Sequence, residues 1–192
     1  MQKENIAMSN RLLLHICCAP CACGCIDRLR EESVEFAFYF SNSNLNTPEE
    51  FLRRYEAAQK LASVENVELF TDEYDHAAWL SKTQALAAEP ERGKRCNICF
   101  EWSLSRTALT ADQLGFDAFA TSLTVSPHKN SKLIFEIGSQ FAQFTPIDFK
   151  KRDGFLKGNR RAAALDLYRQ KYCGCEFSCR DTVQSSGKVT NS

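Results

Sequence analysis

Hydrophobic and polar positions follow two rhythms along this chain. Leu12-Leu-Leu-His-Ile16 is an almost unbroken apolar run of strand length, and Val34-Glu-Phe-Ala-Phe-Tyr-Phe40 is a second, rich in aromatic residues. Both predict strands buried on two faces. Cys23 to Glu31, between them, is long enough for a short crossover helix, which makes a β–α–β opening. After the polar loop Ser41-Asn-Ser-Asn-Leu-Asn46, Thr47 can cap a helix that has Pro48 at its first position and Glu50 three residues on. That helix should run to about Ser63.

Val67 to Phe70 predicts a third strand and Ala77 to Ala88 another helical stretch. Phe100, Leu104, Ala108 and Ala111 recur every three or four residues and place a longer helix over Cys96 to Gly115, ended by the glycine. Phe116-Asp-Ala-Phe-Ala-Thr121 is the expected fourth strand. It is followed by the loop Ser126-Pro-His-Lys-Asn130, a helix from Ser131 to about Phe141 and a last helix over about Asn159 to Tyr172. Strands alternating with helices imply an α/β fold with a mostly parallel, Rossmann-like sheet and a cysteine-rich helical segment at the C-terminal end. A single domain over 11–180 is expected, flanked by polar tails at 1–10 and 181–192.

Composition narrows the class. The 192 residues are 44% hydrophobic and 25% charged, with only 8 Gly and 5 Pro, which excludes a disordered or fibrous chain. Lys and Arg total 24 against 24 Asp and Glu, so no global field drives the protein onto nucleic acid. The run Leu12 to Cys18 is far too short to span a membrane, and the segment before it is polar, so a cytoplasmic protein without an anchor is expected. Ten cysteines in such a chain point to metal or redox chemistry rather than to a secreted disulfide scaffold.

These cysteines fall into groups. Cys17 and Cys18 end the first strand, where α/β sheets place their ligand crevice; both can serve one centre only if the backbone bends, as a turn at Ala19-Pro20 would allow. Cys96-Asn-Ile-Cys99 carries the two-residue gap that brings two thiolates to one metal from one helix face, with Arg92, Lys94 and Arg95 available to offset their charge or simply to face solvent. Four thiolates from two segments suit tetrahedral zinc or an iron–sulfur cluster equally by count, and buried structural thiols are the third reading. In Tyr172-Cys-Gly-Cys175, a bridge between Cys173 and Cys175 would close a small strained ring. That favours a redox-active pair over a stabilising bond, two further metal ligands being the alternative.

Cys21, three residues beyond Cys18, could hold a second metal. Cys23 and Cys25 fit packing roles, and Cys179 has no assigned role. His15, inside an apolar strand, is expected to be a hydrogen-bonded core histidine, His128 a substrate contact and His76 a surface residue. Trp79, Trp102 and most of the 14 Phe are expected in the core. Between Asp148 and Lys171, eight basic residues (Lys150, Lys151, Arg152, Lys157, Arg160, Arg161, Arg169, Lys171) face three acidic ones, a local excess of five that suits phosphate contacts or a solvated helix face.

Taken together, Leu13-Leu-His-Ile-Cys-Cys-Ala-Pro-Cys21, Cys96-Asn-Ile-Cys-Phe100, Arg106-Thr-Ala108, Gly115-Phe116, Ser126-Pro-His-Lys-Asn130, Asp148-Phe-Lys-Lys151 and Tyr168-Arg-Gln-Lys-Tyr-Cys-Gly-Cys175 resemble the epoxyqueuosine reductase family QueH, over about residues 11 to 176. The resemblance implies reduction of the epoxide of epoxyqueuosine to the cyclopentene of queuosine at the wobble position of tRNA, with an unidentified electron donor. It implies a [4Fe-4S] cluster on Cys17, Cys18, Cys96 and Cys99, a redox-active disulfide between Cys173 and Cys175, and an additional metal ion for which Cys21 is the nominee. Departures from the family's pattern are Ser43 for an expected proline, Ser103 for a common arginine, and Gly158 to Ala164 without its usual serine-containing segment; all are expected to lie away from the cysteines. The β–α opening also resembles nucleotide α-hydrolase-like adenylating enzymes, but their phosphate-binding Ser-Gly-Gly-x-Asp-Ser loop is replaced by Cys17-Cys18. A zinc-stabilised tRNA-binding module is the non-catalytic alternative.

Overall fold

The computed structural model describes residues 11–178. Its four strands, β1 (Arg11–Ile16), β2 (Glu35–Phe40), β3 (Leu69–Thr71) and β4 (Ala118–Thr121), form one parallel sheet in the order β3-β2-β1-β4. The helices are α1 (Ala19–Glu31), α2 (Pro48–Glu65), α3 (His76–Thr83), α4 (Lys94–Gln113), α5 (Ser131–Gly138) and α6 (Gly154–Ala164).

β1 lies between β2 and β4 and reads as continuous apolar sequence because both its faces are covered. Leu12, Leu14 and Ile16 join Phe38, Phe40 and Ala120 in one core, closed by apolar residues of α1, α2 and α6. Leu13 joins Ala37, Tyr39 and Phe119 in the other, closed by Phe100 and Leu104 of α4 and Ile134 of α5. Leu12, Leu13, Leu14 and Ile16 are fully buried, and such burial stabilises by about 1.5–3 kcal/mol per side chain. No helix among the described residues is long and apolar enough to cross a membrane.

α1 and α6 approach backbone to backbone. A Cβ on Gly24 would lie 2.6 Å from the Gly154 carbonyl oxygen, and one on Gly158 would lie 2.8 Å from the Gly24 nitrogen and 2.9 Å from the Pro20 carbonyl oxygen. Side chains are excluded along this seam, so α6 is seated against the first turn of α1.

Thr47 caps α2 as expected, its hydroxyl accepting from the Glu50 N–H at 3.1 Å. Several expectations are corrected. The bend after β1 sits at Cys17, Cys18 is extended (φ −171°, ψ 159°) and precedes α1, and Pro20 already lies in that helix's first turn. α1 therefore begins at Ala19 rather than Cys23. The last helix runs Gly154–Ala164, not Asn159 to Tyr172, because Asp166 takes a left-handed conformation (φ 48°) that breaks the apparent continuation. The stretch carrying Cys173 and Cys175 is irregular rather than helical, and helix resumes only at 176–178. Cys179 and the expected polar tails, 1–10 and 181–192, lie outside the described residues.

Candidate active site

β1 is joined through the sheet to β2 on one side and to β4 on the other, so the topological switch point lies between the C-terminal ends of β1 and β4. A crevice of about 440 Å³ opens there, lined by Cys17, Cys18, Cys21, Cys99, Lys129 and Cys173 among others. A smaller cavity of about 70 Å³ shares Cys99, Lys129 and Cys173 with it and adds Cys96 and Cys175. All the described cysteines except Cys23 and Cys25 therefore face this one region.

The tightest group is Cys17, Cys18 and Cys21, whose sulfurs lie within 4.8 Å of one another. Cys17 Sγ is 3.9 Å from Cys18 Sγ. Because α1 starts at Ala19, Cys21 falls in its first turn and looks back toward the strand end. The Cys17 N–H donates to Ser122 Oγ at 3.2 Å, and the Ser122 hydroxyl donates to Cys17 Sγ at 3.6 Å. Three thiols so close cannot all ionise. Hydrogen bonds from Cys17 and Cys21 push Cys18 well down, while the same contacts push Cys17 and Cys21 up.

Cys96 and Cys99 occupy the opening turns of α4, and burial pushes both thiols up. The Arg92 N–H donates to Cys96 Sγ at 3.3 Å. Cys173 and Cys175 are thiols in the structure, with Cys175 buried near the Ser178 hydroxyl at 3.5 Å. Cys23 and Cys25 are buried in the core as packing residues, and burial pushes Cys23 up to about 12.

Between the thiol groups sits Lys129, whose Nζ is 3.7 Å from Cys173 Sγ. The charge of Cys173, followed by those of Cys17, Cys21 and Cys18, holds the ammonium protonated against the opposing cost of burial. Lys150 fixes the loop that presents it, donating to the Lys129 carbonyl at 2.7 Å and to the Ser126 carbonyl at 3.3 Å. Lys150 is thus committed to the loop rather than offered to phosphate. Arg152 pairs with Glu31, Arg161 with Asp27, and Arg169 with Asn159, so much of the basic stretch serves internal contacts. Lys157, Arg160 and Lys171 are exposed.

Arg54 escaped the sequence reading. It is buried at 2% exposure, paired with Glu50 at 2.8 Å, and donates to the carbonyls of Cys173 (3.0 Å) and Tyr172 (3.3 Å). An arginine four residues after a glutamate, on a helix face otherwise carrying Phe51, Ala57, Ala58 and Leu61, is the signal that could have exposed it. Gly174, at φ +134°, is held by the Asn46 N–H on its carbonyl at 2.9 Å, and a Cβ there would strike Leu45 at 2.4 Å.

His15 is a buried core histidine as expected, Nδ1 meeting Thr121 Oγ1 at 2.9 Å and Nε2 the Ser41 carbonyl at 3.1 Å. His128 lines the crevice beside Arg92, 3.3 Å away. His76 is not a surface residue: it is half-buried, with ring nitrogens 2.9 Å from the Ser43 carbonyl and 3.3 Å from Glu176. Arg95 is buried and donates to the carbonyls of Leu86, Ala87 and Glu89, bracing α4, while it also lines the small cavity that holds Cys96, Cys99, Cys173 and Cys175. Two of the three departures lie beside the cysteines rather than away from them. Ser103 lines the crevice and donates to the Cys99 carbonyl at 3.1 Å, and Gly158 meets the Pro20 carbonyl in the turn that carries Cys21.

Behind the site, Asp72 accepts from the Ser41 hydroxyl at 2.7 Å and from two nitrogens of Arg106. Burial alone would raise this carboxyl, but the hydrogen bonds from Arg106 and Ser41 outweigh it and hold it below its usual value. Its contribution is complete above about pH 4, where the unfolded chain is also ionised, and is lost as pH falls through the lower folded value. Asp72→Asn should cost about 2 kcal/mol at neutral pH, discounted from the usual cost of breaking a buried pair because Arg106 is partly exposed, and should flatten the acid limb. Urea titrations from pH 7 down to 3 check both.

The sequence pattern described as "Epoxyqueuosine reductase QueH" matches residues 12–181. The chain is similar to an epoxyqueuosine reductase QueH of Streptococcus pyogenes serotype M1, 35% identical, covering 93% of this chain and 73% of that protein. It is 32% identical to that of Acinetobacter baylyi (91% and 83% covered) and 30% identical to that of Thermotoga maritima (93% and 95%). Among solved structures, the NMN synthetase of Francisella tularensis superposes with a TM-score of 0.53 at 10% identity, covering 95% of this chain and 79% of that one. That likeness shows a shared α/β fold.

Proposed function

Because the chain belongs to the epoxyqueuosine reductase family QueH, we propose that the crevice between β1 and β4 reduces the epoxide of epoxyqueuosine to the alkene of queuosine at the wobble position of tRNA. The observation that carries this reading is the meeting of seven thiols and one half-buried ammonium at the sheet's switch point.

The reaction breaks two C–O bonds, forms a C=C bond and releases water, so it consumes two electrons and two protons. Oxidation of the Cys173 and Cys175 thiols to a disulfide supplies both, and an external donor then reduces the pair again. Lys129, held protonated beside Cys173, is placed to pass a proton to the departing oxygen and take one back from the thiol, with His128 on the same wall as the alternative relay. Cys17, Cys18, Cys96 and Cys99 would hold a [4Fe-4S] cluster, and Cys21, within 4.8 Å of two of them, would contribute to an additional metal ion. The donor set fits: soft thiolates of the kind such clusters require, with a lysine to offset their charge. When bound, the cluster supplies single-electron transfer between the donor and the site. The target base must leave its stack to enter a crevice this deep, as bases reached by modifying enzymes do. A cytoplasmic setting, where such thiols stay reduced, accords with this chemistry.

Anaerobic purification followed by iron and acid-labile sulfide quantification tests the reading. About four irons and four sulfides per chain are expected, falling sharply in Cys17→Ser and Cys96→Ser. One tightly held zinc without iron would support the RNA-binding module instead, and ATP-dependent product formation would support an adenylating enzyme.

A further inference from the structure

We propose that Phe155 is a stacking platform at the crevice mouth that receives an unpaired nucleobase of the anticodon loop, next to the base being reduced. The inference rests on the tRNA reading above. Most phenylalanines of the chain are core residues, but Phe155 is 41% exposed and at the same time lines the crevice. Leu156 beside it is 48% exposed. In a chain free to bury both, two adjacent exposed apolar side chains at a site's rim mark a contact surface.

The helix geometry fixes where Phe155 points. Gly154, Gly158 and Ala162 form the buried stripe of α6, and the glycines are locked on the backbone of α1. Phe155 and Asn159, one turn apart on the neighbouring stripe, both line the crevice. The ring is thus carried on a rigid support, in the wall that also bears Cys18 and Cys21. Charge complements it: Lys157 and Arg160 on the same helix are exposed, and Arg169 and Lys171 line the crevice nearby. An exposed aromatic face in a cation-bearing crevice is a pattern by which proteins hold single-stranded RNA, the cations on phosphates and the ring on any base. Extruding one nucleotide leaves its neighbour without a stacking partner, and Phe155 can replace it.

The test uses an anticodon stem-loop carrying epoxyqueuosine, with 2-aminopurine at the adjacent position, and compares wild type, Phe155→Ala and Phe155→Trp. Phe155→Ala should raise KM about tenfold, as expected for loss of one base–aromatic stack, with kcat at saturation and the melting temperature unchanged. Phe155→Trp should restore KM. Binding to wild type should quench the 2-aminopurine, and binding to Phe155→Ala should not. Equal KM and equal quenching in Phe155→Ala would overturn the platform and leave the reductase reading standing. Failure of the wild type to reduce the stem-loop would overturn both.

Discussion

Cys173→Ser and Cys175→Ser should each lower turnover by about a thousandfold or more, the scale at which loss of a group that reacts covalently is felt, while retaining iron and sulfide at wild-type levels. Serine matches the shape of cysteine but cannot give up electrons, so neither variant can close the disulfide proposed to deliver two electrons and two protons together. The local structure positions this pair tightly. Gly174 between them holds a backbone angle that other residues resist, Arg54 fastens the Cys173 carbonyl, and Lys129 stands 3.7 Å from the Cys173 sulfur. A single-turnover assay separates the roles: pre-reduced wild type, freed of reductant, should make about one product per chain at most by this route, and the serine variants none. Full turnover with intact iron in either variant would remove the pair from the reaction.

The second large effect is structural. Gly158→Val places a branched side chain where a Cβ alone would lie 2.8 Å from the Gly24 nitrogen and 2.9 Å from the Pro20 carbonyl oxygen. Both neighbours are backbone and cannot rotate away, so α6 must lift from α1. A cost of about 3 kcal/mol is expected, lowering Tm by roughly 6–12 °C in a chain of this size. Ala163→Val, on the exposed side of the same helix, controls for β-branching and should change stability by less than about 0.5 kcal/mol. Because α6 bears Phe155 and Asn159, Gly158→Val should also weaken RNA binding in protein that remains folded. Matched thermal melts of the two variants decide the point.

The parts of this molecule that were readable in the sequence are those governed by burial and local hydrogen bonding. β1 and β2 announced themselves because both faces are covered, α2 because Thr47, Pro48 and Glu50 form its start, and His15 because a polar residue inside an apolar strand must find partners. α6 was misplaced because Gly154 and Gly158 are poor helix formers by propensity, yet are required by the contact with α1. The apolar spacing of Leu165, Leu167 and Tyr168 imitated a helix that Asp166 forbids. At the site, cysteine spacing located every segment that converges. What it could not give was the grouping, because the closeness of Cys21 to Cys17 and Cys18 depends on α1 starting at Ala19. Lys150 and Arg161 looked available for phosphate only because their acceptors, carbonyls in one case and the distant carboxylate of Asp27 in the other, carry no local signature.

The thiols of this crevice come from three stretches, 17–21, 96–99 and 173–175, at the beginning, middle and end of the described chain. On the proposed assignment of a cluster to Cys17, Cys18, Cys96 and Cys99, a growing polypeptide lacks that ligand set until residue 99 has emerged, and lacks the proposed redox pair until residue 175. Assembly of such a cofactor would then wait on the second stretch, and completion of the crevice wall on the third.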